Sequence, residues 1–451
     1  MARIDSIGNR RLRKTISPLL GILVVLSMVW IQPASASLSS WSPTTSYPTS
    51  IGDIDQNCVQ SSGFVYCIGG YSGGGPTTAV YFAPLSSSGV GSWSPTTGYP
   101  LADWLGSCVA DSGFVYCIGG NVGSSSITAG VYFAPLSSSG VGAWTSTTTY
   151  PTPIHGQSCA VSSGFVYCIS GSTGFTSGVN TPAVYYASLL GVGGIGAWLP
   201  TTDYPAPTYL GSCVVDSGFV YCIGGYFVGS AVYFAQLSLT GVGTWSATTN
   251  YPVGDGQQAC IEDSGMVYCI GGWNGSYLNN VYFASLSSSG VGSWNTAASY
   301  PTGIAGQGCV TSSGFVYCIG GYTGSGFTSA VYFASFRDTT STSVVCSTTK
   351  VVDSHSTTCT ATVTDTSSGT VSSPTGIVTW TCSPSAHCIA SPFSPTNTCT
   401  LSPTSSVGTS SCSVTFHSGP GKPNTVTLGA TYSGDTDHFG SSGSTTITAS
   451  S

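Results

Sequence analysis

Six times along this 451-residue chain, two cysteines stand with eight residues between them: Cys58/Cys67, Cys108/Cys117, Cys159/Cys168, Cys213/Cys222, Cys260/Cys269 and Cys309/Cys318. The second copy runs Ser107-Cys-Val-Ala-Asp-Ser-Gly-Phe-Val-Tyr-Cys-Ile-Gly-Gly120. Val, Phe and Tyr favour pleated strands, and Ser112-Gly113 suits a two-residue turn. That turn sets Asp111 against Phe114, Ala110 against Val115, Val109 against Tyr116 and Cys108 against Cys117. Bonded and non-bonded pairs alternate outward from the turn. The cysteines fall on a non-bonded pair, where side chains come close enough for a disulfide. The spacing is that of a β-hairpin stapled across its two arms.

A second motif keeps step with the first. Trp-x5-Tyr-Pro begins at Trp41, Trp93, Trp144, Trp198, Trp245 and Trp294, a period of about 50 residues. Between each hairpin and the next Trp comes an apolar run, starting at Val80, Val131, Val184, Val232, Val281 and Val331. Two hairpin arms, this run and the Trp strand make four short strands per unit, which predicts a β-propeller. The series opens on a Trp strand and closes on Val331-Tyr-Phe-Ala334 without one. Trp41's strand is then expected to complete the last blade, giving six full blades with no open edge.

These units resemble the kelch-repeat family. The pattern is an apolar run ending in Gly-Gly, then a spaced Tyr and a spaced Trp, here Phe64 to Gly69-Gly70, Tyr81 and Trp93. The third unit departs with Ser170-Gly171. From Arg337 the repeat stops and Thr- and Ser-rich strands follow, such as Thr358 to Thr364 and Gly376 to Thr381. With the closing stretch Ala430 to Asp435, His438 and Ser441 to Ile447, they resemble bacterial-type immunoglobulin-like domains. The expected fold class is all-β: a six-bladed kelch-like propeller over 37–337, closed by the N-terminal strand, then an immunoglobulin-like β-sandwich over 338–451. Six C-terminal cysteines allow 15 connectivities. The preferred one is Cys346–Cys359, Cys399–Cys412 and Cys382–Cys388.

Charge narrows the partners. Charged residues are 5% of the chain. Between Ser37 and Phe336 there is no Lys or Arg, against nine Asp and Glu. Such a surface repels nucleic acid and anionic membranes, and it lacks arginines to clamp carboxylates or phosphates. Met1 to Ala36 reads as an export signal: Arg3 to Lys14 is basic, Pro18 to Ile31 is apolar, and Ala34-Ser35-Ala36 offers a cleavage site. An uncleaved N-terminal anchor is the alternative, and no later segment is apolar and long enough to span a bilayer. Eighteen cysteines in an exported chain read as disulfides. The expected location is secreted or at the cell surface.

The resemblance implies a ligand face made by two sets of connections. One runs from each second strand to the third, the other from each Tyr-Pro to the next hairpin. Five of the latter have seven residues before the Cys, and the first has nine, Thr49 to Asn57. Five residues before the Cys stand Asp53, Asp103, Ile154, Thr208, Asp255 and Ile304. Four before it stand Ile54, Trp104, His155, Tyr209, Gly256 and Ala305. Variation on a constant frame is where a binding surface is built. In the functional reading Asp53, Asp55, Asp103 and Asp255 accept from sugar hydroxyls or bind Ca²⁺, Trp104 and Tyr209 stack, and His155 and Trp273 join them. In the plainer reading these Asp only stabilise turns. Tyr71, Tyr226, Phe227, Trp273, Tyr277, Tyr322 and Phe327 follow the Gly-Gly sites as an aromatic rim.

Enzyme chemistry finds few parts. Copper radical chemistry of the galactose oxidase type needs more than the propeller's one histidine, His155. A sialidase-like site needs an arginine cluster. A two-carboxylate glycosidase using Asp53, Asp103 and Asp255 stays open. No cofactor is expected, with Ca²⁺ as the exception noted above. The function expected is binding or adhesion toward an extracellular glycan or surface protein, with the sandwich as spacer. The alternatives are a carbohydrate-active enzyme and a structural envelope component.

Overall fold

The computed structural model describes residues 38–54, 56–123, 126–174, 179–338, 340–352, 354–366, 371–385, 388–419, 424–435 and 437–450. The expected export signal lies outside them. The six hairpins form in the anticipated register, with Cys108 opposite Cys117 and Asp111 opposite Phe114. All six staples are closed: Cys58–Cys67, Cys108–Cys117, Cys159–Cys168, Cys213–Cys222, Cys260–Cys269 and Cys309–Cys318. The Cα atoms of Cys108 and Cys117 lie 4.0 Å apart, the close approach of a non-bonded pair. The second cysteine of each pair sits on an inner strand of its blade. Cys67, Cys117, Cys168, Cys222, Cys269 and Cys318 are therefore at most 3% exposed. Each turn is a Ser-Gly pair with both residues at positive φ, as at Ser112 (48°) and Gly113 (80°). Such turns match the twist of the flanking strands.

Each second arm pairs with the third strand, Tyr116 opposite Phe133 in blade two. A two-residue fourth strand closes the blade, as Ser94–Pro95 does on Tyr81 and Phe82. In blade six that place is taken by Ser42–Pro43, which pairs with Tyr332 and Phe333 in the same register. The two ends of the propeller are thus one sheet. Ser39 N–H also donates to Ser335 O at 3.0 Å. Blades one to five each place a buried Val or Ile from the turn after the third strand against the preceding blade. Blade six has no such turn, and Leu38 and Phe336 fill the corresponding core beside Phe283.

The Trp-x5-Tyr-Pro motif is explained by contacts between blades. Trp93 packs edge-on against Tyr47 at 4.8 Å, and Trp41 against Tyr300 at 4.9 Å, which closes the circle. The indoles of Trp93, Trp144, Trp198, Trp245, Trp294 and Trp41 each donate to a carbonyl of the preceding blade. Six apolar cores, one per blade interface, hold the ring.

After Asp338 the chain forms two facing five-stranded sheets. One contains Thr340–Cys346, Ser356–Asp365 and Thr409–His417; the other contains Ile377–Ser383, Asn424–Gly434 and Phe439–Ser450. Lys350–Val352 runs parallel to the last strand. Trp380, Val378, Leu428 and Ile447 from one sheet meet Cys359, Ala361 and Val414 from the other. Cys346–Cys359, Cys382–Cys388 and Cys399–Cys412 are bonded as preferred. Nine disulfides suit an oxidising compartment, extracellular or periplasmic. The described residues form one compact unit.

Candidate functional site

On the face opposite the hairpin turns, both sets of connections meet within each blade. Trp104 bridges Asn121, His155 bridges Ser172, Tyr209 bridges Tyr226, and Gly256 bridges Trp273. In blade one the residue that bridges Tyr71 is Gly52. Ile51, whose carbonyl accepts from Gly321 N–H, therefore stands where Asp103, Ile154, Thr208, Asp255 and Ile304 stand in the other blades. Counting back from the cysteine misplaces Asp53 by two residues, because the two extra residues of the first connection enter after Ile51.

Asp53 belongs instead to an inner ring. Asp53, Leu105, Gly156, Leu210, Gln257 and Gly306 all have φ between 52° and 62°. Backbone bonds run around this ring: Gly156 N–H to Leu105 O, Leu210 to Gly156, Gln257 to Leu210, Gly306 to Gln257, and Ile54 to Gly306. A left-handed backbone costs a non-glycine residue roughly 1–2 kcal/mol. The ring thus keeps four side chains at positions where glycine is easiest, and all four line a cavity.

That cavity, of about 450 Å³, is lined by Asp53, Trp104, Leu105, Asn121, His155, Ser172, Tyr209, Leu210, Tyr226, Phe227 and Gln257, among others. Four sequence candidates, Asp53, Trp104, His155 and Tyr209, therefore meet in one place. Gln257 Nε2 donates to Asp53 Oδ1 at 3.1 Å, and Tyr226 OH donates to Gln257 Oε1 at 3.5 Å. Tyr226 stacks on Tyr209 at 5.2 Å. Burial, then the neighbouring Tyr209 and Asp53, pushes the Tyr226 hydroxyl up to about 12, so it stays a donor. His155 Nε2 lies 3.3 Å from Gly174 O, which can only accept, so the proton sits there. Nδ1 then accepts from Asn121 Nδ2 at 3.4 Å. Burial lowers the imidazole's pKa, which keeps this neutral tautomer. Asn121 Oδ1 has no hydrogen-bond partner.

Other candidates fall elsewhere. Asp103 and Asp255 are 3% and 4% exposed, beneath the face. Burial pushes the Asp255 carboxyl up to about 8 and that of Asp103 well above its usual range. Neither can flank a glycosidic bond from there. Asp255 and Trp273 border a separate, smaller cleft of about 240 Å³ that Tyr226 also lines. Asp55 lies outside the described residues. The hairpin cysteines do not reach the mouth. Cys67, Cys117, Cys168, Cys222, Cys269 and Cys318 are buried in the blade cores, and their sulfurs are held in cystines. They serve the frame, not ligand contact. The rim aromatics form an arc in which Trp104 meets Tyr71, Tyr71 meets Phe327, Phe327 meets Tyr322, and Tyr322 meets Tyr277.

Sequence reasoning missed Asn121, Gln257 and Gln56. In blades two to six the ring residue stands three before the cysteine, as Leu105, Gly156, Leu210, Gln257 and Gly306, and its two glycines are the sequence trace of the left-handed ring. Gln56 reaches from blade one to blades two, three and four. Its Oε1 accepts from Ser107 and Ser158 hydroxyls at 3.1 and 3.3 Å, and its backbone carbonyl accepts from Cys108 N–H at 2.7 Å. Its Nε2 donates to Gly211 O at 3.5 Å. Gln56 thus ties its own blade to three others, through Ser107 and Cys108, Ser158 and Gly211.

No family model matches the chain, and no curated protein does. Among solved structures it is similar to YjhT, a kelch-repeat propeller protein, at 14% identity and a TM-score of 0.52. The match covers 67% of this chain and 96% of that one. At this identity the likeness is one of fold, a six-bladed kelch-like propeller.

Proposed function

We propose that this protein is a secreted or cell-surface binding protein whose propeller mouth takes a neutral, hydroxyl-rich ligand, in the first instance a glycan. The propeller of 37–337 presents the site, and the sandwich of 338–451 is its spacer. The carrying observation is the cavity that gathers Asp53, Trp104, His155 and Tyr209. It joins aromatic surface for stacking against sugar rings to a carboxylate, two amides and a neutral imidazole for hydroxyls. The absence of Lys and Arg from 37 to 336 disfavours anionic ligands. Burial of Asp103 and Asp255 argues against a two-carboxylate hydrolase.

The test is a glycan array probed with the intact chain, with released sugar measured in parallel. Binding without turnover, weakened at least tenfold by Asp53→Asn, is the expected result. Turnover, or a mouth variant that binds as well as the wild type, overturns the proposal.

A further inference from the structure

A second cluster lies where the propeller hands over to the sandwich. Asp338 follows the last blade, Asp365 ends the strand Ser356–Asp365, and His438 sits in the turn between the last two strands. Asp338 N–H donates to Asp437 O at 2.8 Å, and Phe439 N–H donates to Asp338 O at 2.9 Å. These bonds set Asp338 beside His438 although they are 100 positions apart in sequence. All three residues are at most 5% exposed. One donor atom from each lies within 4.8 Å of the other two.

The imidazole is aimed by a fourth residue. Asp435 Oδ1 accepts from His438 Nδ1 at 2.8 Å and from the Asp437 and His438 N–H groups. Asp435 Oδ2 is held in turn by Thr375, whose N–H and hydroxyl donate to it at 2.7 and 2.8 Å. Held this way, Asp435 accepts the His438 Nδ1 proton and fixes the ring. A carboxylate behind a histidine in this way is how proteins orient a metal-bound imidazole. His438 Nε2 faces oxygen atoms only: Asp365 Oδ2 at 3.6 Å, Ser372 Oγ at 3.1 Å and the Ser372 carbonyl at 3.2 Å, so a metal ion there would take the place of a proton. Tetrahedral donors about 2.0–2.2 Å from a metal stand roughly 3.3–3.6 Å from one another. Two carboxylates and an imidazole bound through Nε2 would offer a divalent cation the two negative charges that a buried ion needs.

We propose that Asp338, Asp365 and His438 bind one divalent transition-metal ion of the zinc class, with Ser372 beside the fourth position. The nitrogen donor favours such an ion over Ca²⁺ or Mg²⁺, which prefer all-oxygen sites. The ion joins the exit of the last blade to the terminal hairpin of the sandwich. This does not depend on what the propeller mouth binds.

The test uses the untagged, oxidised full chain, stripped with EDTA and dialysed against Zn²⁺, with Ca²⁺ in parallel. One Zn²⁺ per chain by elemental analysis is expected. Co²⁺ substitution should give visible bands of a low-symmetry nitrogen–oxygen site. Asp435→Asn should weaken Zn²⁺ ten- to a hundredfold, and His438→Gln should abolish the Co²⁺ bands. Circular dichroism separates lost binding from lost folding. Wild type that retains no Zn²⁺, and whose melting neither Zn²⁺ nor EDTA shifts, overturns the proposal. So does Zn²⁺ binding that both variants keep.

Discussion

Asp255 occupies a position held by isoleucine in blades one, three and six, Ile51, Ile154 and Ile304, and it is buried as they are. Its carboxyl, pushed up to about 8 by burial, is the neutral acid at neutral pH. In the unfolded chain it ionises near pH 4. Between about pH 4 and pH 8 the folded chain therefore holds the extra proton, and stability falls as pH rises through that window. Each pKa unit is worth about 1.4 kcal/mol, so the effect reaches several kcal/mol. Asp255→Asn is expected to melt above the wild type at pH 8, with the gap closing toward pH 4. Calorimetry at the two pH values decides this, and a gap that does not change with pH contradicts it. None of this was legible from Asp255 in the sequence, where it read as a surface acceptor. Nothing in the residues shows that the position five before the cysteine points under the face.

At the scale of the element, the hairpins were the most legible part. Turn, register and disulfide are all fixed within some ten consecutive residues, so a local reading contains everything needed. Removing one staple, with Cys108→Ser and Cys117→Ser together, should cost roughly 2–3 kcal/mol, as expected for closing a short loop. Hydrogen exchange should show the loss first in Ser107–Asp111 and Phe114–Ile118. Faster exchange spread evenly over all six blades speaks against it. The connections were less legible, because their conformation is set by the next blade. The Gly156 N–H to Leu105 O bond, and those like it, run between units. Ile51 and Asp53 could not be placed until those partners were known. Ser170 makes the same point: its hydroxyl oxygen lies 2.7 Å from both Thr181 O and Thr208 O, one of which takes its single proton, where the other units have glycine.

At the scale of the molecule, a frame repeated six times carries a mouth that varies. Trp and Tyr contacts, cystines and the Ser42–Pro43 closure recur around the ring. Closure was legible from the order of the motifs, since a leftover Trp strand and a missing one can only meet in a ring. The meeting of Asp53 with Gln257, some 200 positions apart, was not, because it needs the ring to be built first. The most direct measurement of this division is the triple variant Trp104→Ala, His155→Ala, Tyr209→Ala, assayed for melting and for binding to the best array ligand. Melting within a few degrees of the wild type, with binding weakened at least a hundredfold, is the predicted result. Binding that survives the triple replacement, or a ring that unfolds with it, contradicts a variable mouth on an independent frame.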